Sequence, residues 1–218
     1  MKTKVLTFLF LLNILYSSGQ VVANIGIKGG ISLATMTYNY ETVGIVGTYD
    51  YKTGVYTALT AELFKGKFLS FTTDLGFVQK GMKQKIPVTS PEFPDGNGDY
   101  RIWKITRNYV SFSPMLKGFY SFNKLTTYAL VGPRLDLTVT DSQLPYSTIQ
   151  SKTHKFILGF TYGAGAEYKI EKFGILLECM GHPNLTPIMA QQLSDGNSSL
   201  KVTGNAYIVT VGLKYYLN

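Results

Sequence analysis

Charged residues in the middle of the strand-like segments of this chain all occupy one face, and this limits the folds it can adopt. Apolar and polar residues alternate with a period of two through eight segments, at about 23–35, 53–64, 67–80, 106–120, 126–140, 154–169, 173–182 and 203–217. The mid-segment charges all fall in phase with the polar positions: Lys28, Glu62, Asp74, Lys117, Arg134, Asp136, Glu167, Glu178 and Lys214. The pattern predicts an all-β protein whose strands each have one polar and one apolar face.

The glycines indicate which face is inside. They share the charged positions, at Gly26, Gly30, Gly76, Gly132, Gly159, Gly163, Gly165 and Gly212. Small residues are needed where side chains crowd a narrow barrel interior. We therefore predict an eight-stranded antiparallel up-and-down transmembrane β-barrel, with a polar lumen and an apolar face towards lipid. The alternative is a soluble lipocalin-like binding barrel with the faces reversed, in which Phe71, Phe77, Phe156 and Phe160 line an internal cavity.

Short and long connections alternate along the chain. The segments FKGKF (64–68), SFNKL (121–125) and KIEKF (169–173) are tight, whereas residues 81–105 contain the loop-forming stretch TSPEFPDGNGDY. In outer-membrane barrels short turns face the periplasm and long loops face outward. We therefore expect all the long loops at the external end and both termini at the periplasmic end.

The N-terminal segment has the features of a secretory signal peptide. Lys2 and Lys4 precede an apolar run at 5–16 and the small residues Ser17, Ser18 and Gly19. We predict cleavage after Gly19, which leaves a barrel domain at 20–218. We expect the exported protein to be located in the bacterial outer membrane. The single cysteine, Cys179, allows no internal disulfide.

The segment YALVGPRLDL (128–137) places a proline in the middle of a predicted strand. A symmetric hairpin about residues 123 and 124 sets Pro133 directly opposite Pro114. We expect both missing N–H donors to share one rung of the ladder, with a local bulge or widened spacing there.

The predicted interior charges are nearly balanced, with four basic and five acidic residues. Because unpaired charges in a narrow lumen are costly, we expect a mutually paired network that fills the barrel. The alternative is a pathway for a small ion or solute.

Basic and aromatic residues cluster in and beside the longest predicted loop. We predict that some of these residues contact lipopolysaccharide phosphates or another envelope protein: Lys83, Lys85, Arg101, Trp103, Lys104 and Arg107. The alternative is a solvated loop with an interfacial tryptophan. Lys80 belongs to the same stretch. The net charge of +8 is not arranged as a basic stripe with interleaved aromatics, so no nucleic-acid partner is expected.

Two histidines leave an enzymatic alternative open. His154 and His182 lie at the long-loop end, and Asp141, Ser142, Ser147 and Ser151 are near His154 in sequence. A Ser-His-acid constellation of a lipid-modifying barrel could be assembled from such residues, but no nucleophile elbow marks a serine. We predict no catalytic residues, no cofactor and no metal site.

Four stretches resemble the PorT-like family of outer-membrane β-barrel proteins of Gram-negative bacteria. They are IGIKGGISLATM, NYVSFSPMLKGFYSFNKLTTYALVGPRLDL, FILGFTYGAGAEYKI and YIVTVGLKYYL. The resemblance implies the barrel fold for essentially the whole mature chain. It also implies a non-enzymatic structural or binding role, as an accessory of type IX secretion or another surface apparatus.

Overall fold

A computed structural model describes residues 21–40, 44–88, 98–141, 154–192 and 199–217. The predicted signal peptide lies outside these residues. The described residues form ten strands: β1 (Val22–Tyr40), β2 (Ile45–Thr48), β3 (Asp50–Leu63), β4 (Leu69–Pro87), β5 (Tyr100–Phe122), β6 (Leu125–Asp141), β7 (Phe156–Ile170), β8 (Phe173–Gly181), β9 (Met189–Gln192) and β10 (Ser199–Tyr216).

Eight of these strands form a closed antiparallel ring. The order is β1-β3-β4-β5-β6-β7-β8-β10, and β10 pairs again with β1 from Asn24–Tyr216 to Tyr40–Leu200. The up-and-down barrel predicted from the sequence is confirmed. The short strands β2 and β9 were not predicted; they pair with the outer ends of β1 and β10.

The two faces of the ring are arranged as the charge pattern predicts. Outward side chains such as Ile27, Leu59 and Leu75 are half or more exposed, whereas the alternate side chains are buried. The lipocalin-like alternative is wrong, because Phe71 and Phe156 are 38% and 60% exposed on the outer surface. Phe77 and Phe160 share that outward face by alternation along their strands.

The three predicted tight turns share a backbone feature. Phe64, Asn123 and Glu171, one in each turn, have φ of 48°, 51° and 53°. One left-handed residue per turn reverses the chain within a few positions. Among the residues described, no helix has the length and apolar composition to cross a membrane.

The predicted loop at 81–105 is largely strand instead. β4 and β5 pair without a register shift out to Pro87–Tyr100, so Lys83, Lys85, Arg101, Trp103 and Lys104 lie on a strand hairpin. Strand β1 likewise runs beyond the predicted residue 35 to Tyr40. The barrel wall therefore continues outward as paired strands, which fix the spacing of the side chains they carry.

The two prolines do share one rung, as predicted. Phe112–Leu135 and Leu116–Val131 pair in the same register, so Pro114 faces Pro133, and pairing is missing at the three positions 113–115. The pair 114–133 cannot form its two N–H···O bonds, because both residues are prolines. The pairs on either side, at 113 and 115, are flanked by these same two bonds, so pairing is lost at all three positions. The expected bulge is not there: the register shift of this hairpin lies between Asn108 and Tyr109.

Replacement of Pro133 by alanine is expected to raise the free energy of unfolding by about 1 kcal/mol, because one ladder donor is restored. The new amide of residue 133 is expected to exchange slowly with D2O in a reconstituted sample. Exchange at 133 as fast as in the turn at Asn123 would show that the strands are separated there.

Candidate functional site

The periplasmic half of the lumen holds two carboxylates against two lysines. Glu62 accepts hydrogen bonds from Lys117 Nζ (3.0 Å), Lys214 Nζ (3.3 Å) and Asn24 Nδ2 (2.9 Å). Glu167 pairs with Lys214 at 2.9 Å and with Lys117 at 3.7 Å. All four charged side chains are nearly inaccessible to solvent, so each needs its partners.

A second group of charges lies at the middle of the barrel. Lys28 Nζ is 2.6 Å from Asp74 Oδ2 and donates to Glu178. Tyr128 donates its hydroxyl to the other Glu178 oxygen (3.1 Å), and Tyr56 donates to Asp74 (3.4 Å). The Lys117 ammonium lies 4.3 Å from the centre of the Tyr128 ring, which links this group to the periplasmic one.

The external group is built on Arg134, whose side chain is 1% exposed. Its Nε donates to Asp136, Nη1 donates to the Phe160 carbonyl (2.7 Å), and Nη2 donates to Asn184 Oδ1 (2.7 Å) and the Pro183 carbonyl (3.2 Å). A Cβ added at Gly159 would lie 2.3 Å from Nη2. Only glycine leaves room for this guanidinium, which holds the irregular segment after β8 against the barrel wall.

Lys80 was grouped with the loop residues, and the structure corrects this. It is buried and pairs with Asp136 at 2.7 Å. Lys80 adds a fifth basic side chain to the predicted charge network, which has five acidic ones. Its even position on β4, in phase with Asp74, was the signal that could have identified it.

Each charged side chain in the three groups described above has a counter-charge at contact distance. We therefore expect that the lumen does not conduct ions. We expect purified protein in planar bilayers to give no stable conductance steps. Recurrent steps of uniform size in most bilayers would contradict a sealed lumen.

The six predicted contact residues divide between the two faces of the β4–β5 hairpin. Alternation in the unbroken register puts Lys83, Lys85 and Lys104 on the outward face. Arg101, Trp103 and Arg107 lie on the face that continues the lumen. Lys83 and Lys104 are direct cross-strand partners, so three lysines face outward together at one side of the rim.

His182 does not have the surroundings of a general base. It is 1% exposed, and its ring packs edge-on against Tyr56 with centroids 6.0 Å apart. Neither ring nitrogen has a hydrogen-bond partner among the described residues, whereas a catalytic triad needs a carboxylate at Nδ1. His154 is exposed, and Ser142, Ser147, Ser151 and the Asp141 side chain lie outside what is described. No cluster of metal-ligating side chains occurs among the described residues.

Comparison with known proteins gives a family match. The model of the outer membrane protein beta-barrel domain matches residues 20–190. No curated protein matches the chain. The finer resemblance to the PorT-like family stays a prediction.

Three solved structures have similar chain traces at low sequence identity. The N-terminal β-barrel domain of Pseudomonas aeruginosa OprF has 10% identity and a TM-score of 0.44, over 90% of this chain and 98% of that one. Ail of Yersinia pestis, in complex with the heparin analogue sucrose octasulfate, has 15% identity and a TM-score of 0.41, over 88% and 99%. AlkL in DMPC bilayers has 14% identity and a TM-score of 0.45, over 93% of each chain.

Proposed function

Because this chain belongs to the outer membrane protein beta-barrel domain family, we propose that it is a non-enzymatic binding barrel whose extracellular strands hold lipopolysaccharide. The observation that carries this proposal is the β4–β5 hairpin. It extends the wall outward in unbroken register and bears Lys83, Lys85, Arg101 and Lys104. A filled, charge-paired lumen supports the same view, because it leaves the outer surface as the part able to engage a ligand.

The chemistry of these side chains suits an anionic envelope glycolipid. Lysine and arginine form charge-assisted hydrogen bonds to phosphate oxygens. Strands hold the side chains at fixed spacing, so less freedom is lost on binding than from a mobile loop. The hairpin rises from the lipid-facing wall, where such a ligand is already concentrated.

The test is lipopolysaccharide binding by the full chain in detergent. We expect a variant with Lys83, Lys85, Arg101 and Lys104 all changed to glutamine to bind about 100-fold more weakly, since several charge-assisted hydrogen bonds are lost. The control changes Lys67 and Lys124, on the periplasmic turns, to glutamine. Equal affinity of the wild type and the fourfold variant would refute the proposal.

A second candidate is an accessory role in type IX secretion or another surface apparatus, favoured by the PorT-like strand motifs. Co-purification from detergent-solubilised outer membrane tests it. A reproducible envelope-protein partner, lost on replacing the same hairpin residues, would favour this role over lipid binding.

A further inference from the structure

A groove of about 630 Å³ crosses the lipid-facing wall below the β4–β5 hairpin. It follows one rung of outward residues, each the register partner of the next: Val110 on β5, Phe77 on β4, Thr57 on β3, Gly29 on β1 and Val211 on β10. Four strand spacings of about 4.8 Å make this rung about 19 Å long. The groove is therefore long and narrow, and it runs diagonally because the strands of a barrel are tilted.

Two small residues give the groove its depth. Gly29 and Thr57 are cross-strand partners on β1 and β3. Taller side chains that are half or more exposed flank them along both strands: Ile27 and Leu59 towards the periplasm, Ile31 and Val55 towards the outside. Apart from the Thr57 hydroxyl, the outward side chains along the groove are apolar. An apolar chain therefore fits the groove, and a polar headgroup does not.

The upper end of the groove lies at the outer edge of the apolar wall. One outward position beyond this end on β4 and β5, Gln79 Nε2 donates to Asn108 Oδ1 (3.1 Å). Amide side chains are costly in hydrocarbon, so the pair marks the level where lipid headgroups begin. At the other end, Val211 lies midway along the outward apolar residues of β10, which run from Tyr207 to Leu217. The groove therefore descends through one leaflet, whose share of the hydrocarbon core is about 15 Å.

The basic residues of the hairpin lie beyond the same end. Lys83 and Lys104 are outward cross-strand partners on β4 and β5. At about 3.3 Å per residue they lie about 13 Å along the strands from Gln79 and Asn108, on the headgroup side. A phosphorylated glycolipid held by these lysines has its acyl chains at the entrance of the groove. Because the headgroup keeps the chain nearby, its effective concentration is high and modest contacts in the groove are sufficient.

We propose that the groove holds one acyl chain of the glycolipid whose phosphates bind the hairpin lysines. This inference rests on the proposed function and extends it from the headgroup to the chain. Phospholipids have chains of the same chemistry, so the selectivity comes from the contacts of the hairpin with the larger anionic headgroup. The groove adds van der Waals contacts to the chain from its floor and from both sides.

The test fills the groove from its floor. A Cβ added at Gly29 would meet only the Tyr56 carbonyl oxygen at 3.8 Å and Thr57 Cγ2 at 4.0 Å, so Gly29→Phe places a ring in the groove without strain in the wall. Thr57→Phe fills it from the neighbouring strand, and Thr57→Val keeps its shape. Gly118→Phe is the matched control, because Gly118 is an outward glycine of β5 away from the groove, where an added Cβ would meet only Leu69 Cδ2 at 3.8 Å.

Native mass spectrometry of the full chain in detergent compares two probes: fully acylated lipid A, and the same phosphorylated disaccharide after removal of its ester-linked chains. We expect the wild type to bind the fully acylated lipid about tenfold more tightly. Gly29→Phe and Thr57→Phe are expected to bind that lipid at least about fivefold more weakly and to bind the other lipid unchanged, because the ring takes the place of the chain. Gly118→Phe and Thr57→Val keep wild-type affinity, and heat-modifiable migration reports folding of each variant.

Three outcomes would overturn the acyl-chain groove. They are equal binding of the two lipids by the wild type, unchanged affinity of both phenylalanine variants at 29 and 57, and an equal loss in Gly118→Phe. If the fourfold hairpin variant loses both lipids while Gly29→Phe and Thr57→Phe bind them as the wild type does, the binding role stands and the groove falls. If the wild type binds neither lipid, both fall.

Discussion

Glu62→Gln is expected to lower the free energy of unfolding by about 3 kcal/mol, because the change leaves two buried lysines with too little negative charge. Glu62 is 1% exposed and contacts both Lys117 and Lys214. Glutamine has nearly the same shape, so the loss reports charge rather than packing. After the change, Glu167 alone must neutralise both ammonium groups.

Urea unfolding in lipid vesicles, followed by tryptophan fluorescence and by heat-modifiable migration, measures this loss. Glu171→Gln is the matched control, since Glu171 is exposed on a periplasmic turn. Equal stability of the Glu62 and Glu171 variants would mean that water or ions reach the lumen and neutralise the lysines. A Glu62→Gln/Lys117→Met double variant should recover part of the loss, because the excess positive charge is removed.

Arg134→Met is expected to destabilise the barrel by about 3 kcal/mol and to release the segment that follows β8. Without the guanidinium, the Phe160 carbonyl and the Asn184 amide oxygen lose the Arg134 donor, and the Pro183 carbonyl keeps only its bond from the Phe160 amide. Asp136 keeps Lys80 as a partner. We therefore expect the loss of structure at the segment after β8 rather than around the Asp136 carboxylate.

Hydrogen exchange localises the effect of Arg134→Met. The amides of Asn184, Leu185 and Ile188 donate to the carbonyls of Gly204, Leu158 and Val202, and they should exchange at least about tenfold faster in the variant. Arg134→Lys keeps the charge but cannot reach several acceptors at once, so intermediate rates are expected. Arg101→Met, at an exposed site, is the control. Unchanged exchange at all three amides would show that the segment is held by its backbone alone.

The ring and its two faces could be predicted from the sequence because a barrel strand has a strict period of two. A shift of one residue in a strand would move every charge of that strand to the lipid face. Charged positions such as Lys28 and Glu178 therefore determine which residues of each strand face the lumen. The same rule covers Lys80, the last residue of the predicted segment 67–80, whose even position is in phase with Asp74.

The outer extensions could not be predicted in this way. Beyond Met82 both faces of the β4–β5 hairpin meet water, so no apolar face constrains the alternation, and the charged residues look like a loop. The bulge in β3 at residues 52–55, opposite residues 79–81 of β4, and the irregular segment at Pro183 depend on contacts between distant strands. Short-range patterns carry no record of such contacts, so neither feature could be predicted from the sequence.

The pairing of β1 with β10 has a consequence for how long the folded protein lasts. These strands come from opposite ends of the chain and share seventeen paired positions, Asn24–Tyr216 through Tyr40–Leu200, with β2 and β9 alongside at the outer end. Such a contact has the greatest separation along the chain and closes late in folding. Opening it requires many hydrogen bonds to break together in a medium that offers no replacements. We therefore expect a high activation barrier to unfolding of the barrel. Its stability is then kinetic, and it is measured by the lifetime of the folded state rather than by an equilibrium free energy.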